Sequence, residues 1–137
     1  DVRGALIEGD RILLVREATD GCWALPGGYA DIGLSAAENI VKELHEEAGL
    51  SVTARALYSV THKAKGLYRP DVRDFYKLYF LCERTDQAAP MAGFETTDVG
   101  FFRLDELPPL SRGRTIESDL EAAFAFHRGD ITQTLFD

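Results

Sequence analysis

The sequence has little of what staples or anchors a chain. Two cysteines, Cys22 and Cys82, in 137 residues cannot build a disulfide framework and lack metal-ligand spacing. Both read as reduced thiols, which points to a cytoplasmic protein. The three histidines include His62 and His127, neither with a partner at ligand spacing, so no histidine-based metal site is expected. No apolar run is long enough to span a bilayer, and no charged start followed by an apolar stretch marks a secretory signal. Positive charge is also short: 15 Lys and Arg against 23 Asp and Glu give a net charge of −8. Such a surface repels nucleic acid and anionic membrane, which excludes both as expected partners. An anionic substrate would need divalent cations and a few placed arginines to offset that field locally. An initiator Met is missing as well, and a strand-like segment begins at once after Asp1, so residues 1–137 are expected to be the C-terminal part of a longer parent chain.

What is present is ordinary for a globular protein: 45% hydrophobic and 28% charged residues, enough for one domain over residues 1–137. Residues 2–7 and 11–16 read as hairpin strands around a Gly9-Asp10 turn. After Trp23-Ala24-Leu25, the Pro26-Gly27-Gly28 segment should end the strand and let backbone approach closely. Trp23, beside Leu25, reads as core. The clearest helix spans residues 35–48, where Ser35 and Glu38 form a capping box and Gly49 suits a left-handed C-cap. Ala37, Ile40, Val41, Leu44 and Ala48 form its apolar stripe. Further strands are expected over residues 50–59, 75–82 and 99–104, a second helix over 115–126, and mobile loops over 63–71 and 85–94. Strands, helix, strands, helix indicate a mixed α/β domain with helices packed on a sheet.

Glu43, Glu46 and Glu47 stand at i, i+3 and i+4, so they share one helix face, which the periodicity turns away from the apolar stripe. Like charges at that spacing cost a few tenths of a kcal/mol per pair, roughly, which suggests a cationic partner. A hard divalent cation such as Mg²⁺ suits carboxylate oxygens. The adjacent Gly-Gly loop exposes backbone groups that can join a phosphate or metal site.

The stretch from Gly28 to Leu50, GYADIGLSAAENIVKELHEEAGL, resembles the Nudix box, G-x5-E-x7-R-E-U-x-E-E-x-G-U. Gly28, Glu43, Leu44, Glu46, Glu47, Gly49 and Leu50 fall in register; Leu34 replaces the first Glu and Lys42 replaces Arg. Lys42 keeps the charge but loses the bidentate fork. His45, at a variable position of the box, is a bystander. The resemblance implies an α/β Nudix fold, a mixed β-sheet sandwiched between helices with a loop–helix–loop box. It implies Mg²⁺, with Mn²⁺ as a substitute, held by Gly28, Glu43, Glu46 and Glu47. The activity it implies is hydrolysis of the diphosphate bond in a small-molecule nucleoside diphosphate derivative, ADP-ribose, CDP-choline or similar. Glu46, Glu47 and a loop acid, Glu95, are the candidates for catalysis. Arg3 and Arg16 are candidates for gripping phosphate, and Tyr68 with Phe75 for sandwiching a base. Family members are often homodimers. Two alternatives stay open: a nucleoside triphosphate pyrophosphohydrolase, and a non-catalytic nucleotide-sensing module.

Overall fold

Alternation in the two opening strands sets the layers of the computed structural model, which describes residues 1–137. In β1 (Val2–Glu8), Val2 and Leu6 face one side while Ala5 faces the other. In β2 (Arg11–Glu17), Leu13 and Val15 join the first side, and Ile12 and Leu14 the second. Strands apolar on both faces need a helix on each. α1 (Ala36–Ala48) covers the first with Ile40, Leu44 and Ala48. α2 (Glu117–Arg128) covers the second with Leu120, Ala123 and Phe124. The result is the expected mixed sheet between helices.

The remaining strands are β3 (Trp23–Ala24), β4 (Gly27–Gly28), β5 (Val52–His62), β6 (Tyr76–Arg84), β7 (Thr96–Arg103) and β8 (Leu135–Phe136). The order runs β3-β2-β1-β6-β5-β8, with β4 paired to β1 and β7 to β2. β1 and β2 pair at their turn, Ile7 opposite Ile12 and Glu8 opposite Arg11, and then diverge. β1 runs parallel to β6, whereas β2 takes β7 and β3 as antiparallel neighbours. The sheet therefore opens as a V at the start of β1 and the end of β2.

Local signals were accurate where they were strong. The Ser35 hydroxyl accepts the Glu38 N–H at 3.1 Å, the Glu38 carboxylate accepts the Ser35 N–H at 3.2 Å, and Gly49 adopts φ 68°. Such a cap contributes about 1 kcal/mol. The double glycine does what was expected: β3 ends at Ala24, ahead of it, and Gly27 and Gly28 bring the backbone close against β1, paired with Arg3 and Val2. A Cβ on Gly27 would stand 2.0 Å from the Val2 carbonyl oxygen, so only glycine permits that pairing. The second helix starts later than expected, at Glu117, after an extended Ile116 N-cap whose N–H donates to the Asp119 carboxylate at 2.9 Å. Bulges near Ala54/Ala56 and Leu57/Ser59 interrupt the two-residue period of β5 and hide its continuation to His62. Residues 63–71 are not a free loop: a 3-10 turn spans Lys63–Lys65, Tyr68 is buried, and the Arg69 N–H donates to the Arg112 carbonyl at 2.9 Å. No helix is long and apolar enough to cross a membrane.

Candidate active site

A cleft of about 440 Å³ fills the mouth of the V. β1 contributes Arg3, the end of β2 contributes Glu17, and the start of β6 contributes Lys77. β4 lays Gly27 and Gly28 along the cleft, and α1 adds Glu43 and Glu47. Gly113 and Arg114 enter from the segment before α2, while Lys63, Asp71, Arg73 and Phe75 enter from the connection between β5 and β6. Glu95 completes the cleft just ahead of β7.

Charged side chains of both signs line this cleft. The acids include Glu17, Glu43, Glu47 and Glu95; Glu17, Glu43 and Glu47 are buried. The Glu47 carboxylate accepts the Gly27 N–H at 2.9 Å. Burial nonetheless pushes its pKa up to about 8, offset in part by that N–H and by Arg3, and reinforced by Glu17 and Glu43. Burial also raises Glu43, with the Glu46 charge adding to it. Glu17 is raised by burial despite Arg114, whose Nε lies 3.7 Å away. Among the cations, Arg3 forks onto Asp1 at 3.0 and 3.1 Å and donates to the Leu25 carbonyl at 3.0 Å. Lys77 donates to the same Asp1 carboxylate at 2.7 Å. Its ammonium is fully buried among the rings of Tyr68, Tyr79 and Phe75, and burial, with Arg3 adding, lowers its pKa to about 6.

The residue pattern of α1, the double-glycine strand beside it and this V-shaped sheet agree with a direct comparison: the NUDIX domain family model matches residues 1–124. The chain belongs to the NUDIX family. It is 43% identical, over its whole length, to YjhB of Bacillus subtilis (strain 168), which carries the provisional name of ADP-ribose pyrophosphatase. The ADP-ribose pyrophosphatase of Methanocaldococcus jannaschii is 29% identical over 80% of this chain. The chain spans 65% and 64% of the length of these two curated relatives. Among solved structures, an ADP-ribose pyrophosphatase from Streptococcus suis 89-1591 superposes with a TM-score of 0.88 at 38% identity. That match covers 99% of this chain and 96% of the other. A UDP-X diphosphatase gives 0.90 at 31% identity, covering 99% of this chain and 65% of the other.

Within the NUDIX box, the structure separates residues that the sequence grouped. Glu43 and Glu47 turn into the cleft and are buried, contrary to the expectation that all three carboxylates face away from the core. They lie one turn apart, and the diverging β1 and β2 leave room beneath them. Glu46 alone points outward, where Lys42 pairs with it at 3.3 Å and with Asp31 at 2.6 Å. Gly28 is where expected: a Cβ there would lie 3.4 Å from the Glu43 carboxylate.

The substrate candidates also divide. Arg3, Phe75 and Glu95 line the cleft, whereas Arg16 does not. Arg16 is exposed and spends its Nε on the Gly21 carbonyl at 2.9 Å. The expected Tyr68–Phe75 sandwich does not form. Tyr68 is buried, donating its hydroxyl to Asp119 at 2.5 Å and lying 2.6 Å from the Tyr79 hydroxyl. Tyr29 takes its place, meeting Phe75 edge-on with centroids 5.4 Å apart. Trp23 is half-buried rather than fully core: it packs against the second core layer, edge-on to Phe102 at 4.8 Å. Glu17, Tyr29, Lys77 and Arg114 were missed. No local motif marks them, although the breaks in apolar alternation at Glu17 and Lys77 were a usable signal.

The donor chemistry fits a hard divalent cation. Glu43 and Glu47 are buried carboxylates without a salt-bridge partner, and such groups are costly unless compensated. No three carboxylate, histidine or cysteine groups lie together as a set that could hold a metal ion, so Glu43 and Glu47 stand as a pair beside the Gly28 backbone. An open, oxygen-only site that leaves room for phosphate is the kind Mg²⁺ occupies.

Proposed function

We propose that the protein hydrolyses the diphosphate bond of a nucleoside diphosphate joined to a second group, such as ADP-ribose, using Mg²⁺ or Mn²⁺. One observation carries this reading: buried, unpaired carboxylates on the NUDIX helix share a single cleft with several cations. Neither set suits an uncharged ligand, and together they suit a polyanion accompanied by metal. Glu43 and Glu47, with the Gly28 carbonyl, would hold the cation, and Glu46 would join by leaving Lys42. When bound, the metal supplies charge neutralisation at the diphosphate and a lowered pKa for water. Arg3 and Arg114 bind phosphate oxygens and orient the phosphorus for attack. Glu95 or Glu47 accepts the proton of the attacking water; the water oxygen bonds to one phosphorus, and the bridging oxygen departs with the other phosphate.

The support is convergent: family membership, relatives named for ADP-ribose hydrolysis, and a cleft whose charge pattern matches the substrate class. The test is incubation with Mg²⁺ and a panel of ADP-ribose, CDP-choline, nucleoside diphosphate sugars and triphosphates, with product analysis. Two phosphorylated products from a diphosphate-linked compound, lost with chelator, are expected. Pyrophosphate plus a monophosphate would establish the triphosphate alternative instead.

A further inference from the structure

A second, smaller pocket of about 180 Å³ opens beside the main cleft and shares Lys63, Asp71 and Arg73 with it. Arg69 adds a third cation, while Asp71 is the sole carboxylate in its lining. That carboxylate is committed: Arg73 forks onto it at 2.8 and 3.0 Å and donates its own N–H at 3.0 Å. Lys63 is left short of acceptors. Its side chain is 7% exposed, and its ammonium has one polar contact, with Asp71 at 3.5 Å. An ammonium carries three donors, so a buried one with a single long contact is poised for an external acceptor. Lys63 sits 5.1 Å from the Phe75 centroid and Arg73 sits 5.0 Å from that of Tyr29, so the chain's own cations already lie against these two rings.

We propose that this side pocket is the subsite for the group beyond the diphosphate, and that Lys63 and its neighbouring arginines select a neutral polyol or an anion there and reject a cation. This rests on the diphosphate reading of the main cleft and narrows its substrate class. Lys63 donates to hydroxyl or anionic oxygens of the distal group. A trimethylammonium group in the same place has no acceptor for Lys63 and meets three like charges, a repulsive element as selective as any attractive one.

The test compares ligands that differ only in the distal group: ADP-glucose with ADP-choline, and CDP-glucose with CDP-choline. Dissociation constants are measured by calorimetry with Ca²⁺ present, and turnover separately with Mg²⁺. In at least one pair the glucose compound should bind about tenfold more tightly or better, the size of one lost charge-assisted contact. Lys63→Met should weaken the glucose compound about tenfold and leave the choline compound unchanged or bound more tightly, closing the gap. Arg69→Gln, on an exposed side chain, should narrow it in the same direction without a risk to folding. Equal affinities within both pairs, or no binding of either, would overturn the subsite. Turnover of both members at equal rates would overturn it while leaving the hydrolase reading intact. Discrimination in binding without any turnover would do the reverse.

Discussion

Glu47→Gln should make the metal-free protein more stable at alkaline pH. Glu47 has an ordinary pKa of 4.5 and a folded value of about 8, raised chiefly by burial. Between those values the folded state holds a proton that the unfolded chain has released, so stability falls as pH rises through this window. At 1.36 kcal/mol per tenfold change, the ceiling on that loss is about 4 kcal/mol at pH 8 and under about 1 kcal/mol at pH 5. Structural relaxation and water entry reduce the realised figure to about 1–2 kcal/mol. Glutamine has nearly the same volume, keeps an oxygen for the Gly27 N–H and carries no charge to desolvate. Thermal melts in chelator should therefore place the variant about 4–8 °C above the parent at pH 8, with the difference shrinking towards pH 5. Hydrolysis should fall by orders of magnitude. Equal melting temperatures at pH 8, or a gain that is the same at pH 5, would refute the claim that an uncompensated buried carboxylate is stored here.

The same logic predicts that Mg²⁺ binding at pH 7 releases protons, seen as a calorimetric enthalpy that depends on the buffer's ionisation heat; an enthalpy independent of buffer would contradict it. Gly93→Ala should cost about 1–3 kcal/mol in urea unfolding and lower turnover, since its Cβ would stand 2.0 Å from the Glu46 carbonyl oxygen and push Glu95 away from the cleft. Tyr68→Phe strips buried Asp119 of a donor and should cost about 1–3 kcal/mol in urea unfolding, whereas an unchanged midpoint would show that this contact adds nothing to stability. Lys42→Gln releases Glu46 and removes a cation near the carboxylates, so Mg²⁺ should bind about two- to fivefold more tightly at low salt, and weaker binding would show that Lys42 supports the metal site.

Local rules made the NUDIX helix legible almost to the residue, because its capping box, apolar stripe and C-terminal glycine all act within one segment. The cleft was harder to read because it depends on pairings between distant segments. Arg3 meets Lys77 through Asp1 only because β1 runs parallel to β6, and a parallel register leaves no turn signature in the sequence. Tyr68 was misplaced for a related reason: its partner Asp119 lies 51 residues away, so a stretch of loop composition became a buried strap. The inward turn of Glu43 and Glu47 was equally invisible. Helical periodicity separates them from the apolar stripe, but the space that receives them exists because β1 and β2 diverge, and that depends on which strand each one pairs with.

The two departures from the NUDIX box can be weighed by the same geometry. Leu34 is 39% exposed and lines a shallow groove on the outer side of α1, with Val41 and His45, away from the cleft. Lys42 also lines that groove, and its ammonium is committed to Asp31 and Glu46 outside the cleft. Those two positions are the only sequence features that favour a non-catalytic sensing module. Neither lines the cleft, so Glu43, Glu47 and Gly28 keep their places there, while Lys42 pairs with Glu46, the box carboxylate that points outward, at 3.3 Å. Two buried carboxylates without salt-bridge partners remain in the cleft, so the metal-holding groups that the proposed hydrolysis needs are present despite both departures.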